Sequence, residues 1–361
     1  MAQGGPGTRG TTSVARATAY WSTPSGGELR SSALGPPGSG QAEVRTLHTG
    51  ISRGSEGLVH RGQVPGAVAD VMRAPFQDGD FGAAVKYGYL SVGVVERLGD
   101  VGRPGVQVGS RVFCHYPHQD RYVVPVEALT PVPDAVPAAR AVLAGTVETA
   151  LNAVWDARPL YGDRVAVIGI GLVGASVVSL LRDFPLASLV AVDPDPQARQ
   201  LAQAWGVRGE QPDALAEDFD IVMHCSGTAA GLSTALRILG FEGRVIELSW
   251  FGDHDIAVPL GAQFHARRLS IRASQVSVVA PAARARRGRQ DRLALAMRAL
   301  ADQRYDRLLT GSSPFSALPQ TMEHLMQGAQ SAWCHVVDYP DDHPSHHAES
   351  AGHAERAEQE S

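Results

Sequence analysis

A glycine-rich segment near the middle of the chain has the residue types and spacing of a dinucleotide-binding turn. It lies between two apolar runs and reads Gly169-Ile170-Gly171-Leu172-Val173-Gly174. In such a turn the first glycine permits the tight bend, the second lets a pyrophosphate approach the backbone, and the third lets helix and strand pack closely. The helix that follows offers free N–H groups to the phosphates. The segment therefore predicts a nicotinamide dinucleotide site.

An acidic residue further along the chain indicates which dinucleotide is bound. Asp193 ends the next predicted strand, about twenty residues after the glycine segment. Its carboxylate would accept hydrogen bonds from both adenosine ribose hydroxyls and repel a 2′-phosphate, so NAD(H) is favoured over NADP(H). Pro194 follows it, and Arg199 is expected to be solvated. The predicted cofactor-binding residues are Gly169, Gly171, Leu172, Val173, Gly174, Asp193 and Ser226.

The elements around this turn alternate between strands and helices. Strands are predicted at 164–168, 189–192, 220–224 and 244–248, and helices at 172–182, 196–205 and 229–239. This alternation is typical of a doubly wound parallel sheet with crossover helices, the Rossmann arrangement in an α/β fold. Residues 15–128 instead show short β-rich runs broken by glycine and proline, which predict a barrel or sandwich. The prediction is completed by one or two helices at 138–156, a helix at 286–302 and a final strand at 331–338. The final strand could return to the β-rich part of the chain.

The composition excludes several classes of protein. Hydrophobic residues make up 44% and charged residues 19% of the 361 residues, which fits a globular chain of about two domains. The net charge of -5 argues against a nucleic-acid partner, and no run reaches the roughly 18 apolar residues that cross a membrane. The three cysteines are an odd number without a CxxC pair, so reduced thiols in a cytoplasmic protein are expected.

The order of a β-rich part, a Rossmann unit and a return strand resembles the medium-chain dehydrogenase/reductase superfamily, the relatives of zinc alcohol dehydrogenase. The segments at 49–56 (TGISRGSE) and 88–93 (GYLSVG) are similar to those of a zinc-free branch, bacteriochlorophyllide 3-hydroxyethyl dehydrogenase. The chain also resembles actinobacterial proteins described as zinc-binding dehydrogenases. The resemblance implies a GroES-like catalytic domain over 15–150 and 285–340 and a Rossmann NAD-binding domain over 151–284. Residues 1–14 and 341–361 are expected to be a disordered leader and tail.

Three positions where zinc members of the superfamily carry metal ligands hold other residues in this sequence. By the resemblance these positions are Ser52, Tyr89 and Gly145. None of them supplies the thiolate, imidazole or carboxylate that zinc requires, so no metal is predicted. Hydride transfer to a carbonyl must still stabilise a developing alkoxide. We therefore predict Tyr89 as the proton donor, Lys86 as an ammonium that lowers the pKa of that phenol, and Ser52 as a hydrogen-bond partner of the substrate oxygen.

Less specific interpretations of the polar residues stay open. Tyr89 could simply fill the vacated pocket, with Lys86 on the surface. His115 and His118 could act as acid–base groups, although a loop position without a catalytic role is favoured. Glu148 is expected to be solvated on a helix surface. The arginines at 284, 286, 287, 289 and 292 form a basic run, interpreted as a solvated helix start rather than a site for a phosphorylated substrate.

The sequence as a whole predicts a zinc-independent, NAD-dependent oxidoreductase that interconverts a secondary alcohol and a ketone of a small-molecule substrate. A quinone or enoyl reductase is the second enzymatic interpretation, disfavoured because such relatives usually use NADPH and Asp193 argues against it. The third interpretation, from another class, is a non-catalytic NAD-binding protein. A strand predicted at 269–273 could pair across a homodimer.

Overall fold

The computed structural model describes residues 15–216, 218–328 and 333–340. The predicted leader and tail lie outside these residues. The strands, numbered β1 to β17 in chain order, are Arg16–Thr23, Gly26–Ala33, Gln41–Ile51, Asp78–Gly79, Val85–Lys86, Ser91–Leu98, Arg111–Cys114, Arg121–Pro125, Thr130–Pro131, Arg164–Ile168, Ser188–Val192, Arg208–Glu210, Phe219–His224, Leu239–Glu247, Ser270–Ala273, Leu309–Pro314 and Cys334–Asp338. The α-helices, α1 to α8, are Arg53–His60, Ala138–Ala141, Ala144–Ala157, Leu172–Leu181, Pro196–Ala204, Ala229–Ile238, Arg289–Ala299 and Leu318–Met326. Short 3₁₀ helices cover Gly66–Val68, Val126–Ala128, Pro212–Ala214, Gln303–Leu308 and Phe315–Ala317, and a π-helical turn covers Leu260–Phe264.

A six-stranded parallel sheet forms one half of the molecule. Its strand order is β12-β11-β10-β13-β14-β15, and every neighbouring pair is parallel. The central strands are apolar throughout because both faces are covered, and one hydrophobic cluster packs on each face. The order of the strands reverses at β10, since β11 and β12 lie on one side of it and β13 to β15 on the other. The glycine segment follows β10 and therefore lies at the carboxyl edge of the sheet, at this switch point. The predicted Rossmann fold is confirmed.

The β-rich half contains two further sheets. One has the order β16-β17-β3-β6-β7-β9, with β8 also paired to β3, and the other has the order β2-β1-β5-β4. The last strand, β17, pairs antiparallel with β3, so that His335 lies opposite Ile51. The predicted return of the final strand to the first part of the chain is therefore confirmed, and the chain leaves the β-rich half and comes back to it.

The predicted elements agree with the structure in most places and differ where tertiary pairing extends them. Strand β10 has the predicted bounds. Strand β14 starts at Leu239 rather than at residue 244, because Leu239 pairs with Phe219 ahead of a register shift. Helix α7 is shorter than predicted at both ends, and helix α1 was not predicted. Within the described residues, no helix is long and apolar enough to cross a membrane.

Candidate functional site

The three glycines of the central segment each meet a different steric demand. Gly169 has a φ of 87°, and a Cβ there would lie 2.5 Å from the Cα of Ser226. A Cβ at Gly174 would lie 1.8 Å from the carbonyl oxygen of Gly169, so helix α4 can approach the turn only without a side chain. A Cβ at Gly171, the residue before α4, would meet nothing within 4 Å. The open side of this turn is therefore beside Gly171, at the start of the helix, where a phosphate would bind.

The Asp193 carboxylate lies next to this turn and is held by two backbone groups. Its Oδ2 accepts a hydrogen bond from the Ile170 N–H at 2.7 Å, and its Oδ1 accepts one from the Asp195 N–H at 2.8 Å. Each oxygen keeps a lone pair for a further donor. Arg199 donates to the carbonyl oxygens of Asp193 and Pro194, at 2.7 and 2.8 Å. This guanidinium is half-buried and engaged with the backbone rather than fully solvated.

A cavity of about 1040 Å³ lies between the β-rich half and the carboxyl edge of the parallel sheet. Six of the predicted site residues line it: Ser52, Tyr89, Gly171, Leu172, Val173 and Ser226. Lys86, Gly169, Gly174 and Asp193 are not part of its lining. Trp333 also lines the cavity, and its indole N–H donates to the carbonyl oxygen of Ile170 at 2.7 Å. The cavity thus extends from Ser52 and Tyr89 in the β-rich half to the glycine segment at the parallel sheet.

Ser52 and Tyr89 form a hydrogen-bonded pair on the wall of the cavity. The Tyr89 hydroxyl donates to Ser52 Oγ at 2.7 Å. Ser52 precedes helix α1, and its backbone N–H donates to the buried carboxylate of Glu56 at 2.7 Å. Glu56 in turn lies 2.9 Å from Nε2 of the buried His118. Burial, followed by the negative charge of Glu56, raises the pKa of Tyr89 to about 12.

Lys86 does not assist Tyr89, contrary to the sequence-based prediction. Its ammonium donates to Gln119 Oε1 at 3.1 Å and lies 5.6 Å from the centre of the Tyr116 ring. Burial lowers the pKa of Lys86, opposed by the charge of Asp78. The expected lowering of the Tyr89 pKa is therefore wrong, since that pKa is raised. The Lys86 side chain is bonded to Gln119 and the Tyr89 side chain to Ser52, so the two residues have different partners.

A buried ion pair behind the cavity was missed from the sequence. Glu148, expected to be solvated, is 3% exposed, and its Oε1 accepts from Nε of Arg292 at 2.9 Å. Arg292 is 1% exposed and also donates to Asn152 Oδ1 at 2.5 Å and the Val276 carbonyl oxygen at 2.6 Å. The other Glu148 oxygen lies 3.2 Å from Nε2 of His115. The prediction that the basic run is solvated is therefore correct for the four exposed arginines, and it is wrong for Arg292, which is buried.

A helical pattern in the sequence could have revealed Arg292. In α7 the buried positions are Arg292, Leu293, Ala296 and Met297, which is the spacing of one helix face. An arginine on the apolar face of a helix requires a buried partner, because an isolated buried charge is strongly unfavourable. The partner lies on α3, and the sequence does not say which residue it is.

Ser226 is held by two residues that sequence reasoning also missed. His224, which is fully buried, lies between Glu247 and Ser226, with Nδ1 2.6 Å from Glu247 Oε2 and Nε2 2.7 Å from Ser226 Oγ. His224 and Glu247 lie opposite each other in β13 and β14. When Nδ1 donates to the carboxylate, Nε2 accepts the Ser226 proton, and Ser226 Oγ then faces the cavity as an acceptor.

The comparisons with known proteins begin with curated sequences. No protein-family profile matches the chain. The Saccharomyces cerevisiae protein named "Probable diacetyl reductase ((R)-acetoin forming) 2" is 27% identical over 211 residues, which cover 54% of this chain and 48% of that protein. An Escherichia coli L-idonate 5-dehydrogenase (NAD(P)(+)) is 25% identical over 38% of this chain and 44% of its own length. The chain thus matches less than half the length of these curated relatives.

Solved structures match over most of the chain. The 2R,3R-butanediol dehydrogenase of Bacillus subtilis superposes with a TM-score of 0.69 and 16% identity, covering 90% of this chain and 100% of that one. An alcohol dehydrogenase of Escherichia coli CFT073 complexed with NADH has a TM-score of 0.71 and 15% identity, covering 90% and 99%. A protein of Sinorhizobium meliloti 1021 described as a zinc-binding dehydrogenase, bound to NADP, has a TM-score of 0.70 and 15% identity, again covering 90% and 99%.

The structural matches show the fold of the chain. The fold is that of the medium-chain alcohol dehydrogenases, a GroES-like part combined with a Rossmann domain. The relatives that the chain matches are zinc-type alcohol dehydrogenase-like members of the medium-chain superfamily. The resemblance predicted from the sequence is confirmed at this level.

The residues of this chain do not fit the zinc ion of such relatives. A structural zinc is held by four thiolate, imidazole or carboxylate ligands and a catalytic zinc by three. At the three positions named above, the cavity presents the hydroxyls of Ser52 and Tyr89 and the bare backbone of Gly145. His115, Glu127, Glu148 and Cys225 also line the cavity. Across the residues that the structure describes, no group of three or more histidine, cysteine or acidic side chains is placed to hold a metal.

Proposed function

We propose that this protein is an NAD-dependent alcohol dehydrogenase-like oxidoreductase that interconverts a secondary alcohol and a ketone without zinc. The observation that carries the proposal is the single cavity in which the Ser52–Tyr89 pair meets the glycine segment. Reduction of a carbonyl needs a hydride donor on one side and a hydrogen-bond donor at the oxygen on the other, and one cavity offers a place for both. The alcohol and diol dehydrogenases among the structural matches support this class of substrate.

The cofactor would be held by residues already in position. The backbone N–H groups after Gly171 face its phosphates, and the Asp193 carboxylate accepts from the adenosine ribose. NAD, when bound, supplies the hydride acceptor for alcohol oxidation. A 2′-phosphate would meet the charge of Asp193 while the Arg199 guanidinium is engaged with carbonyl oxygens. These contacts support NAD(H) over NADP(H), although relatives of both preferences share the fold.

The chemistry at the substrate oxygen would come from the hydroxyl pair. Because the Tyr89 hydroxyl donates to Ser52 Oγ, the Ser52 proton is available to the substrate oxygen. Donation by Tyr89 makes the Ser52 hydroxyl a stronger donor, since hydrogen bonds in a chain polarise one another. With a pKa of about 12, Tyr89 stays protonated at neutral pH and acts as a hydrogen-bond donor rather than as an acid. The pair would stabilise negative charge on the oxygen in place of a Lewis acid.

Calorimetric titration of the metal-analysed protein with NADH and NADPH tests this proposal. We expect NADH to bind at least tenfold more tightly than NADPH, and Asp193→Asn to weaken NADH binding by about tenfold, a loss of about 1.4 kcal/mol. Asp134→Asn, at a fully exposed carboxylate, is the matched control and should bind like the wild type.

Turnover on a panel of secondary alcohols and ketones, before and after chelation, completes the test. The chelated protein should keep its rate. One zinc per chain that is required for turnover would contradict the zinc-free mechanism. NADH binding without turnover of any alcohol or ketone would favour a non-catalytic NAD-binding protein, and turnover of quinones or enoyl substrates alone would favour the second enzymatic interpretation.

We also propose that the protein forms a homodimer through strand β15. The strand lies at the end of the parallel sheet, and all four of its residues are exposed. Its free edge within the described residues offers unpaired backbone groups to a second copy.

A further inference from the structure

Oxidation of a secondary alcohol releases a proton as well as a hydride. The C–H bond gives its electron pair and hydrogen to the oxidised nicotinamide, and the O–H bond gives its proton to a base, so that ketone, reduced nicotinamide and a protonated base result. The base must exchange protons near neutral pH to turn over efficiently. Burial raises the pKa of Tyr89 to about 12, which makes the phenol unsuited to this exchange. The cavity therefore requires a second proton-handling group.

His115 lies in the same cavity and carries an imidazole, the side chain suited to proton exchange at neutral pH. It follows strand β7, and its side chain is 27% exposed. Its ring packs edge-on against Phe113 at 5.0 Å. A Cβ at Gly145 would lie 3.4 Å from Nε2 of His115. The imidazole thus lies beside one of the three positions that carry zinc ligands in metal-containing relatives.

The orientation of His115 is fixed by the ion pair behind it. Nε2 lies 3.2 Å from the Glu148 carboxylate, whose other oxygen accepts from the Arg292 guanidinium at 2.9 Å. Arg292 is held by Asn152 and by the Val276 carbonyl oxygen, so the carboxylate cannot turn away. With Nε2 beside the Glu148 carboxylate at 3.2 Å, Nδ1 is the ring nitrogen left to accept a proton.

We propose that His115 is the catalytic group that takes the substrate proton during alcohol oxidation and returns it during ketone reduction, and that Glu148 and Arg292 are positioning residues for it. The inference rests on the proposed oxidoreductase function and adds the proton path to it. Ser52 and Tyr89 hold the substrate oxygen, and His115 exchanges its proton. The other charged side chains that line the described part of the cavity are Glu127, Arg53, Arg61, Arg73 and Arg289.

The pH dependence of kcat/KM for alcohol oxidation tests the assignment. The wild type should lose activity as the pH falls, because an imidazolium cannot accept a proton. His115→Gln should lower kcat by a factor of about 10² to 10⁴ and remove this acid limb, with NADH affinity unchanged. Glu148→Gln should lower kcat with KM and NADH affinity unchanged, because His115 loses the carboxylate that positions it, and Glu148→Asp should restore part of the rate.

The matched control is His48→Gln. His48 has the same 27% side-chain exposure and a carboxylate partner, Asp338, at 2.8 Å, but it lies outside the cavity lining. This variant should keep the wild-type rate and pH profile. A His115→Gln enzyme with the wild-type rate and acid limb would overturn the inference while leaving the oxidoreductase proposal intact. A wild type that turns over no alcohol or ketone would overturn both.

A spectroscopic measurement separates positioning from folding. Nitrogen-detected NMR of the imidazoles should show His115 with its proton on Nε2 in the wild type, identified by the signal lost in His115→Gln. In Arg292→Lys and Glu148→Gln this signal should move toward the mixed tautomers of a free imidazole. An Nδ1-protonated His115 in the wild type would overturn the inference, because the accepting nitrogen would then face Glu148.

Discussion

The hydroxyl groups of Ser52 and Tyr89 lie 2.7 Å apart on the cavity wall, and burial determines how they can act. A phenol whose pKa is raised to about 12 holds its proton throughout the neutral range. Tyr89 can therefore strengthen the Ser52 hydroxyl as a donor but cannot serve as a titrating acid. In the proposed mechanism, this hydrogen-bonded pair holds the substrate oxygen, and His115 in the same cavity exchanges the proton.

Removing either hydroxyl should slow the chemical step without affecting cofactor binding. We expect Ser52→Ala to lower kcat by about 10²- to 10³-fold, since one donor to the developing oxyanion is lost, and Tyr89→Phe to have a smaller effect. Because the raised pKa keeps the phenol protonated, Tyr89→Phe should leave the pH profile unchanged below about pH 10. Steady-state kinetics and NADH titration provide the measurements.

Tyr161→Phe is the control for loss of a phenol, because Tyr161 is 89% exposed. It should behave as the wild type. A Ser52→Ala enzyme with an unchanged kcat would show that the substrate oxygen is held by another group.

At the scale of elements, two glycines in the turn between β10 and α4 have different roles, one in packing and one in the proposed binding of the cofactor. Gly174 allows the helix to approach the turn, because a Cβ there would lie 1.8 Å from a carbonyl oxygen. Gly171 leaves open space on the side where a pyrophosphate would lie. The same residue type thus has a structural role at one position and a binding role at the other.

Two alanine substitutions should separate these roles. Gly171→Ala should leave the free energy of unfolding within about 0.5 kcal/mol of the wild type and reduce NADH affinity at least tenfold, because the methyl group occupies the phosphate space. Gly174→Ala should cost about 1–3 kcal/mol of stability through overpacking and reduce binding as well. Denaturant unfolding and calorimetric titration measure the two quantities.

Gly261→Ala serves as the reference substitution, since a Cβ there also meets nothing within 4 Å and the residue lies outside the cavity lining. If Gly171→Ala bound NADH as tightly as Gly261→Ala does, the phosphate position assigned beside Gly171 would be wrong.

At the scale of the whole molecule, the chain forms two halves that line a common cavity, and β15 is one of the edge strands of the described part of the parallel sheet. The edge strand β15 contains Ile271, which is 37% exposed, and lies far along the sheet from the glycine turn. Edge strands that are not covered readily pair with another chain. A dimer through this edge would extend the parallel sheet across two copies and leave the cavity of each copy separate.

Light scattering after gel filtration should therefore give about twice the chain mass of 38.1 kDa for the wild type. Ile271→Lys should shift the mass toward that of one chain, because a charge on the edge opposes pairing. Val108→Lys, at a turn residue that is 59% exposed, should remain dimeric. A monomeric wild type, or a dimer unaffected by Ile271→Lys, would rule out pairing through β15.

The sequence by itself determined the features that depend on local patterns. The glycine spacing, Asp193 and the alternation of strands and helices specify the Rossmann unit, because backbone conformation and strand burial follow from neighbouring residues. The resemblance to metal-containing relatives also singled out Ser52 and Tyr89 as candidate site residues, and the structure brings these two side chains into contact.

Only the tertiary structure decided which charged groups are buried together. Glu148 and Arg292 are 144 positions apart. The pattern of α7 places Arg292 on the apolar face of the helix, but it does not identify Glu148 as the partner. Lys86 is three residues from Tyr89 in sequence, yet its ammonium is bound to Gln119. A buried charge is tolerated only beside a partner, and in this chain the partners come from distant elements. The packing of α3 against α7 therefore determines that Glu148 is the partner of Arg292. No local sequence pattern contains this information.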